Sequence, residues 1–166
     1  MHGTNDNLFS PYATTTRGMF VTVLYRLEGE PVVNYAMSFE DVVADQWYTE
    51  AIRWATSEKI VEGYGNGKFG TNDAITREQF VTIMFRYAKY KGYDVSIGEN
   101  TNILSYDDAF DVASWAIPAM QWACGESLIQ GIADGSKMNL APQDNATRAQ
   151  AASILQRFIE NVVKEN

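Results

Sequence analysis

Three copies of a short motif place an arginine where it could bind an anion. Thr76-Arg77-Glu78-Gln79 precedes an apolar run, Thr147-Arg148-Ala149-Gln150 repeats it, and Thr16-Arg17 is a partial copy. A threonine followed three residues later by a glutamine, ahead of an apolar run, is the capping-box signature of a helix start. The arginine then takes the first helical position, beside the positive end of the helix dipole, where a cation costs about a few tenths of a kcal/mol.

Two partners for these arginines stay open. In the first, each guanidinium joins the free N–H groups of the first helical turn to form a pocket for an anion. In the second, each arginine forks onto a nearby carboxylate and only stabilises the fold.

The charge balance limits what such a pocket could bind. The chain has 166 residues, 46% of them apolar, and a net charge of −8. These values indicate one folded domain, and they argue against nucleic acid or an anionic membrane surface as the partner. No run approaches the roughly 18 apolar residues of a membrane span, and residues 1–6 lack the pattern of a signal peptide, so neither is expected. Any bound anion must be captured locally.

Metal and redox chemistry are not expected. Cys124 is the single cysteine and His2 the single histidine, which excludes an intrachain disulfide and argues against histidine catalysis or a metal cluster. Cys124 is expected to be a small buried hydrophobe. No cofactor is predicted.

The three motifs open the helices of an internal repeat. From Thr76 to Lys89 the apolar residues follow the i, i+3, i+4, i+7 spacing of a buried stripe, and the same spacing follows Arg17 and Arg148. Three equivalent helices predict a bundle about an approximate threefold axis. A second cation recurs in the third turn of each helix, where a solvated or paired role is expected: Arg26, Arg86 and Arg157.

A second helix precedes two of these three. One face of it carries Trp47, Ala51, Trp54 and Ala55, and the copy carries Trp115, Ala119, Trp122 and Ala123. Asp45 and Ser114 are the predicted N-caps, with Pro118 in the first turn of the second copy. Trp54 and Trp122 are predicted to lie in the core, whereas Trp47 and Trp115 could either pack or form a platform for a sugar ring.

The two helices of each unit are joined by a loop with glycines. Asn66-Gly67 and Asp134-Gly135 are strong turn signals, and their flanks could pair as two-stranded ribbons. Gly65, Gly67 and Gly135 would also let a ligand approach the backbone closely. A calcium loop is not indicated, because its distal glutamate is missing.

Several separated motifs, in this order, resemble those of one S-layer homology (SLH) repeat. They are Phe39-Glu40-Asp41-Val42, Trp47, the loop from Gly63 to Phe69, and Ile75-Thr76-Arg77-Glu78-Gln79. Residues 36–92 and 105–166 resemble complete repeats, joined by a linker at 93–104. Residues 1–30 resemble the second half of a truncated repeat through Gly3, Asp6, Phe9, Ser10-Pro11 and Thr16-Arg17.

The resemblance implies a mainly α fold, a pseudo-threefold three-helix bundle with helix-loop-helix prongs, short loop ribbons and all repeats packed as one domain. It implies an extracellular module at the bacterial cell surface that anchors its protein to the wall without catalysis. In this family the motif arginine binds pyruvylated secondary cell-wall polysaccharide in a groove between prongs. Carried over to this chain, the ligand-binding candidates are Arg17, Arg77, Arg148, Asp41, Asp108, Trp47, Trp115, Gly65, Gly67 and Gly135.

The first repeat departs from the family pattern. Gly18-Met19 replaces the usual Ala-Glu, which removes the partner of the capping box and weakens this helix start by roughly 1 kcal/mol. The repeat also lacks its front half, so another chain or an N-terminal segment is predicted to complete it. Without that completion, apolar surface should be exposed.

Two other functions remain open. Glu40, Asp41, Asp107 and Asp108 could be the paired carboxylates of a glycoside hydrolase, although carboxylates that recur at equivalent positions are expected to share one role. Alternatively, the chain could be a structural or protein-interaction module whose sugar grooves have degenerated.

Overall fold

The computed structural model describes residues 8–164, so the predictions for His2, Gly3 and Asp6 lie outside the described residues. Three helices begin at the predicted motifs and two shorter ones precede the second and third of them. Their bounds are α1 Arg17–Leu27, α2 Thr49–Ser57, α3 Arg77–Tyr90, α4 Ile117–Gly125 and α5 Arg148–Arg157. The last helix continues through Phe158–Val163 in wider π-type turns, and short 3₁₀ turns span Ser96–Asn100, Ala109–Asp111 and Ser114–Ala116. The mainly α prediction is confirmed.

A closed ring of backbone hydrogen bonds marks the pseudo-threefold axis. Thr15 N–H donates to the Ala146 carbonyl at 2.9 Å, Ala146 N–H donates to Ile75 at 2.8 Å, and Ile75 N–H donates back to Thr15 at 2.9 Å. Each of these residues lies just before one of the long helices. The ring therefore fixes the starts of α1, α3 and α5 around one point.

The core beside this ring is only approximately symmetric. Phe20 of α1 and Phe80 of α3 stack with their centroids 3.9 Å apart. Ala151 stands at the equivalent position of α5 and is fully buried. A third aromatic ring at that position would overfill a close-packed interior.

The two shorter helices pack on the long ones through their tryptophans. Helix α2 packs on α1, where the rings of Trp54 and Tyr25 lie 5.8 Å apart, and α4 packs on α3, where Trp122 and Phe85 lie 5.6 Å apart. Both tryptophans are fully buried. The prediction that Trp54 and Trp122 belong to the core is confirmed.

The third equivalent position, between α1 and α5, is an apolar groove of about 680 Å³. Leu27 is 50% exposed there, whereas Tyr87, its counterpart in α3, is 2% exposed. Apolar surface is thus exposed where the truncated first repeat predicted it. The α1–α5 groove is lined by Phe9, Val23, Arg26, Leu27, Ala152, Leu155, Gln156, Ile159, Glu160 and Lys164.

The predicted caps of the shorter helices are wrong. Asp45 has a left-handed φ of 59° and α2 begins later, at Thr49. The Thr49 hydroxyl accepts the Gln46 N–H at 3.0 Å and donates to the Val43 carbonyl at 2.7 Å, which closes a tight turn ahead of the helix. Ser114 begins a 3₁₀ turn instead of capping α4, although Pro118 does lie in the first turn of α4.

The loops differ between the two prongs. Strands β1 Ile132–Asp134 and β2 Lys137–Asn139 form the predicted antiparallel ribbon. The other prong has a single ribbon-like bond, from Tyr64 N–H to the Lys68 carbonyl at 2.9 Å, and is otherwise a series of bends. Residues 93–104, the predicted linker, pack against α4. Gly98 lies so close to that helix that a Cβ there would be 3.0 Å from the backbone nitrogen of Trp122.

Helix α1 keeps only half of its cap. Thr16 Oγ1 accepts the Met19 N–H at 3.2 Å. In α3 and α5 the threonine N–H also donates to the side-chain oxygen of Gln79 or Gln150, but Met19 offers no such acceptor in α1. We expect Met19→Gln to complete the box and to raise the free energy of unfolding by about 0.5–1 kcal/mol. Urea denaturation would measure it, and an unchanged or lower midpoint would contradict this explanation.

Gly18 is required by a close backbone approach. A Cβ there would lie 2.9 Å from the Thr71 carbonyl oxygen and 2.8 Å from its Cγ2. We therefore expect Gly18→Ala to lower the free energy of unfolding by about 1–2 kcal/mol, although the same change in an open helix raises it by up to about 1 kcal/mol. A higher urea midpoint would show that the approach relaxes easily.

Candidate functional site

The first-turn N–H groups of the three long helices already have partners. In α3, Arg77 N–H donates to Asp144 O and Glu78 N–H to Pro142 O, both at 2.9 Å. The same bonds recur in α1 and α5, where the acceptors are the carbonyls of Asp73, Thr71, Ala13 and Pro11. The prediction that free N–H groups form an anion pocket is therefore wrong, because the neighbouring segment of backbone satisfies them.

The motif arginines also bind this neighbouring segment. Arg17, Arg77 and Arg148 each donate from Nε to a backbone carbonyl, and the acceptors are Phe69 at 3.0 Å, Leu140 at 2.9 Å and Phe9 at 2.9 Å respectively. Within residues 8–164, no carboxylate forms an ion pair with the guanidinium of Arg17 or Arg77. The carboxylate fork is thus not found for these two, and each keeps a positive charge without a contacting counterion among the described residues.

Burial strengthens the effect of these charges. Desolvation lowers the pKa of Arg17 and of Arg77 from the ordinary value, yet a guanidinium remains protonated at neutral pH. The Arg17 guanidinium also lies over the rings of Tyr64 and Phe69, at 4.8 and 4.7 Å from their centroids. A charge in such surroundings is weakly screened and attracts an anion more strongly than one in water.

Two grooves open above these arginines, each between a prong loop and the following long helix. The Arg17 groove has a volume of about 290 Å³ and the Arg77 groove about 270 Å³. The lining of the Arg17 groove is Arg17, Val61, Glu62, Gly63, Tyr64, Gln79, Thr82, Ile83, Arg86 and Trp115. The lining of the Arg77 groove is Arg77, Leu128, Ile129, Gln130, Ile132, Ala149, Gln150, Ser153, Ile154 and Arg157.

Arg17 and Arg77 differ in the hydrogen bonding of the terminal nitrogen Nη2. Arg17 Nη2 donates to the Glu62 carbonyl at 2.9 Å. Arg77 Nη2 is buried and has no hydrogen-bond partner among the described residues. An unpaired buried donor of this kind costs on the order of 1–3 kcal/mol, so an acceptor that reaches it is favoured.

Arg86 and Arg157 line the two grooves as well, which was not predicted from the sequence. Arg86 lines the Arg17 groove and forms an ion pair with Glu62 at 3.0 Å, and Arg157 lines the Arg77 groove and donates to the Leu128 carbonyl at 3.1 Å. The spacing could have predicted this. Each second arginine follows the motif arginine of its own helix by nine residues, a rotation of about 900°, so it lies on the opposite face of that helix. Each of these two grooves therefore takes one arginine from each of two neighbouring helices.

Arg26 and Arg148 lie elsewhere. Arg26 lines the α1–α5 groove and is 3.9 Å from Glu30. Arg148 has its guanidinium 4.9 Å from the centroid of the Phe9 ring and lies outside the lining of both the Arg17 and the Arg77 groove.

The two predicted aspartates bind the backbone segments that also accept the hydrogen bonds of Arg17 and Arg77. Asp41 accepts the N–H groups of Phe69 and Gly70 through its two oxygens, each at 2.7 Å, and Asp108 accepts those of Leu140 and Ala141 at the same distance. Phe69 and Leu140 are also the residues whose carbonyls receive Arg17 and Arg77. The aspartates thus hold the acceptor of each arginine and do not line the grooves.

The environment of Asp41 favours its ionised form. Desolvation raises the pKa of this carboxyl, but the backbone hydrogen bonds from Phe69 and Gly70 outweigh it, so the pKa lies below the ordinary value.

The predicted aromatic and glycine positions separate in the structure. Trp115 and Trp47 are both 53% exposed, but Trp115 lines the Arg17 groove, whereas Trp47 lines neither groove and its ring lies 5.2 Å from Tyr48. Gly65, Gly67 and Gly135 have positive φ and form the prong turns outside both linings. Their glycine requirement thus comes from turn geometry.

Neither Cys124 nor the acidic side chains form a metal site within the described part of the chain. Cys124 is half-buried rather than fully buried, and burial raises the pKa of its thiol to about 11. Residues 8–164 contain no group of histidine, cysteine and acidic residues that could hold a metal ion. No helix in the same part of the chain is long and apolar enough to span a membrane.

Comparison with known proteins identifies the family. The S-layer homology domain matches residues 38–81 and 105–152. The chain is 32% identical over 161 residues to an amylopullulanase of Thermoanaerobacterium thermosulfurigenes and 30% identical over 165 residues to a surface-layer 125 kDa protein of Lysinibacillus sphaericus. It is 23% identical over 164 residues to a cellulosome-anchoring protein of Acetivibrio thermocellus.

These matches cover 96–98% of the chain but only 8%, 13% and 35% of the three relatives in turn. The threefold repeat, the capped long helices and the two family matches agree with one another. The chain belongs to the S-layer homology domain family.

The pKa of Asp41 predicts how one acid-sensitive contribution to stability behaves. Because this pKa is lower in the folded protein than the ordinary 3.8, the stabilisation is present above about pH 4 and is lost as the pH falls through the folded-state pKa. We expect Asp41→Asn to lower the free energy of unfolding by about 2 kcal/mol at pH 7, since a charge-assisted pair of bonds is lost. The difference from the wild type should shrink towards pH 3.

Urea denaturation at several pH values would measure this. Asp111→Asn is a matched control, because Asp111 is exposed and its side chain makes no hydrogen bond among the described residues. A constant Asp41→Asn difference between pH 7 and pH 3 would contradict the assigned role.

Proposed function

We propose that this chain is a non-covalent anchoring module that binds pyruvylated secondary cell-wall polysaccharide at the bacterial cell surface. Membership of the S-layer homology domain family supports this, as do a surface-layer protein and a cellulosome-anchoring protein among the relatives. The Arg17 and Arg77 grooves are the proposed binding sites. The module itself performs no catalysis.

The buried guanidinium of Arg77 carries the proposal. Its Nη2 has no partner among the described residues, and the lining of the Arg77 groove, within that part of the chain, contains no carboxylate. A pyruvyl ketal offers a compact carboxylate, whose oxygens match the planar donors of a guanidinium. Binding would satisfy a charged donor that the fold leaves unpaired.

The Arg17 groove adds an aromatic surface. Trp115 and Tyr64 both line this groove of about 290 Å³. An indole face can cover the apolar face of a sugar ring while the charged groups bind its substituents. Asp41 and Asp108 are proposed as residues that position the arginines. Arg148 remains the third candidate for a binding arginine, because its bond to the Phe9 carbonyl matches those of Arg17 and Arg77.

The hydrolase alternative has less support. The oxygens of Asp41, Asp107 and Asp108 accept backbone N–H groups of the prongs, which suits bracing better than acid and base catalysis. The chain also covers only 8% of the amylopullulanase and 17% of an endoglucanase of a Bacillus species. Such proportions fit a module attached to enzymes.

The α1–α5 groove favours an additional protein contact. Its two counterparts are each covered by a helix that presents a buried tryptophan and alanines, namely α2 and α4. A helix of the same pattern, from a preceding segment or another chain, is the partner proposed to complete the first repeat. This contact is compatible with polysaccharide binding in the other two grooves.

A pull-down on purified cell walls tests the role of Arg77. We expect Arg77→Lys to reduce wall binding at least tenfold, because a lysine lacks the fork of donors, and removal of pyruvyl groups should reduce wild-type binding similarly. Arg53→Lys is the control, since Arg53 is a surface arginine of α2 paired with Glu50. Arg157→Gln removes the second cation of the same groove and leaves in place the bond from Arg77 Nε to the Leu140 carbonyl. Wall binding indifferent to Arg77, Arg157 and the pyruvyl group would favour the protein-interaction function.

The aromatic contribution has an internal control. Trp115 and Trp47 are equally exposed, but only Trp115 lines one of the two arginine grooves among the described residues. We expect Trp115→Ala to weaken binding of a pyruvylated N-acetylmannosamine saccharide in the Arg17 groove about tenfold, and Trp47→Ala to leave it unchanged. Isothermal titration calorimetry would measure both, and equal losses would argue against a stacking role specific to Trp115.

A further inference from the structure

The two arginine grooves differ in charge at one equivalent loop position. Glu62 in the first prong and Gln130 in the second occupy the same place after α2 and α4, and each lines its groove. The Glu62 carboxylate lies 3.0 Å from Arg86 Nη2. Gln130 is neutral, and Arg157, the counterpart of Arg86, donates to a backbone carbonyl.

The charges on the linings follow from this difference. The Arg17 groove holds two arginines and one carboxylate, whereas the Arg77 groove holds two arginines and, among its described residues, no carboxylate. The acidic residues beside the two motif arginines balance, because Asp73 acts on the charge of Arg17 as the equivalent Asp144 acts on that of Arg77. A carboxylate entering the Arg17 groove must therefore compete with Glu62 for Arg86.

We propose that Glu62 is a specificity-determining residue, an internal competitor that directs the acidic unit of the ligand to the Arg77 groove. The Arg17 groove then takes the acid less well and relies on Trp115 for contact with sugar rings. This inference rests on the proposed function for the identity of the ligand. The selection itself comes from one side chain.

The fold does not depend on the Glu62 carboxylate. Its side chain is 72% exposed and that of Arg86 is 32% exposed, and ion pairs of this kind contribute little to stability. The bond from Arg17 Nη2 goes to the backbone carbonyl of Glu62, so a glutamine side chain at this position leaves it in place. Glu62→Gln therefore changes the charge of the groove and keeps its frame.

The equivalence of the two prongs allows a reciprocal exchange. Glu62→Gln gives the Arg17 groove the polar amide of the other groove, and Gln130→Glu gives the Arg77 groove the carboxylate. Each variant is titrated with a pyruvylated N-acetylmannosamine saccharide and with the same saccharide after removal of the pyruvyl group. Amide resonances of Gly63 and Tyr64 report on the first groove and those of Gly131 and Ile132 on the second.

In the wild type we expect tighter binding of the acidic saccharide at the Gly131 and Ile132 resonances. Glu62→Gln should tighten its binding at Gly63 and Tyr64 about fivefold, and Gln130→Glu should weaken it at the other groove by about the same factor. Fivefold is the effect of one unit charge about 4 Å away in water. The saccharide without the pyruvyl group should bind equally to all three proteins.

The outcomes separate this inference from the function on which it rests. Binding of the acidic saccharide that neither exchange alters, or exchanges that affect the neutral saccharide equally, would overturn the role of Glu62 and leave the proposed function standing. Absence of any shift at either groove, in the wild type and in Glu62→Gln, would overturn both.

Discussion

The structure depends on backbone hydrogen bonds that close a ring around the pseudo-threefold axis. Thr15, Ile75 and Ala146 each donate to one neighbour and accept from the other, so no member of the ring can leave without opening two contacts. Carbonyls two and four positions before each of these residues then satisfy the first turn of another long helix: those before Ile75 serve α1, those before Ala146 serve α3 and those before Thr15 serve α5. Three separate parts of the sequence thereby hold one another in place, and the motif arginines strengthen the same contacts through Nε.

The ring also decides where positive charge is available. Since backbone carbonyls satisfy the helix starts, the dipoles of α1 and α3 have little left to offer a ligand, and the grooves take their charge from guanidinium groups. These groups come from opposite faces of neighbouring helices. In such a groove, a single side chain at the rim can change which ligand charge is favoured, while the backbone bonds that shape the groove stay the same.

The sequence predicted much of this architecture and less of the site. Motif spacing located the long helices and the buried Trp54 and Trp122, because periodicity and capping are local signals. The partners of the first-turn N–H groups could not be predicted, since they come from backbone more than 50 residues away, as the bond from the Arg17 N–H to the Asp73 carbonyl illustrates. The cap predicted at Asp45 failed for a different, local reason, because the Thr49 hydroxyl closes the turn ahead of the helix through bonds to Gln46 and Val43. The groove role of Arg86 was readable from helical phase.

The bond between Arg148 and Phe9 joins residues 139 positions apart. The ring bond from Thr15 to Ala146 likewise joins the segment before α1 to the segment before α5, so the ring closes only when both segments are present. The starts of α1, α3 and α5 thus depend on contacts between segments that are far apart in the sequence. Because these starts depend on one another, we expect the domain to unfold in one transition rather than repeat by repeat.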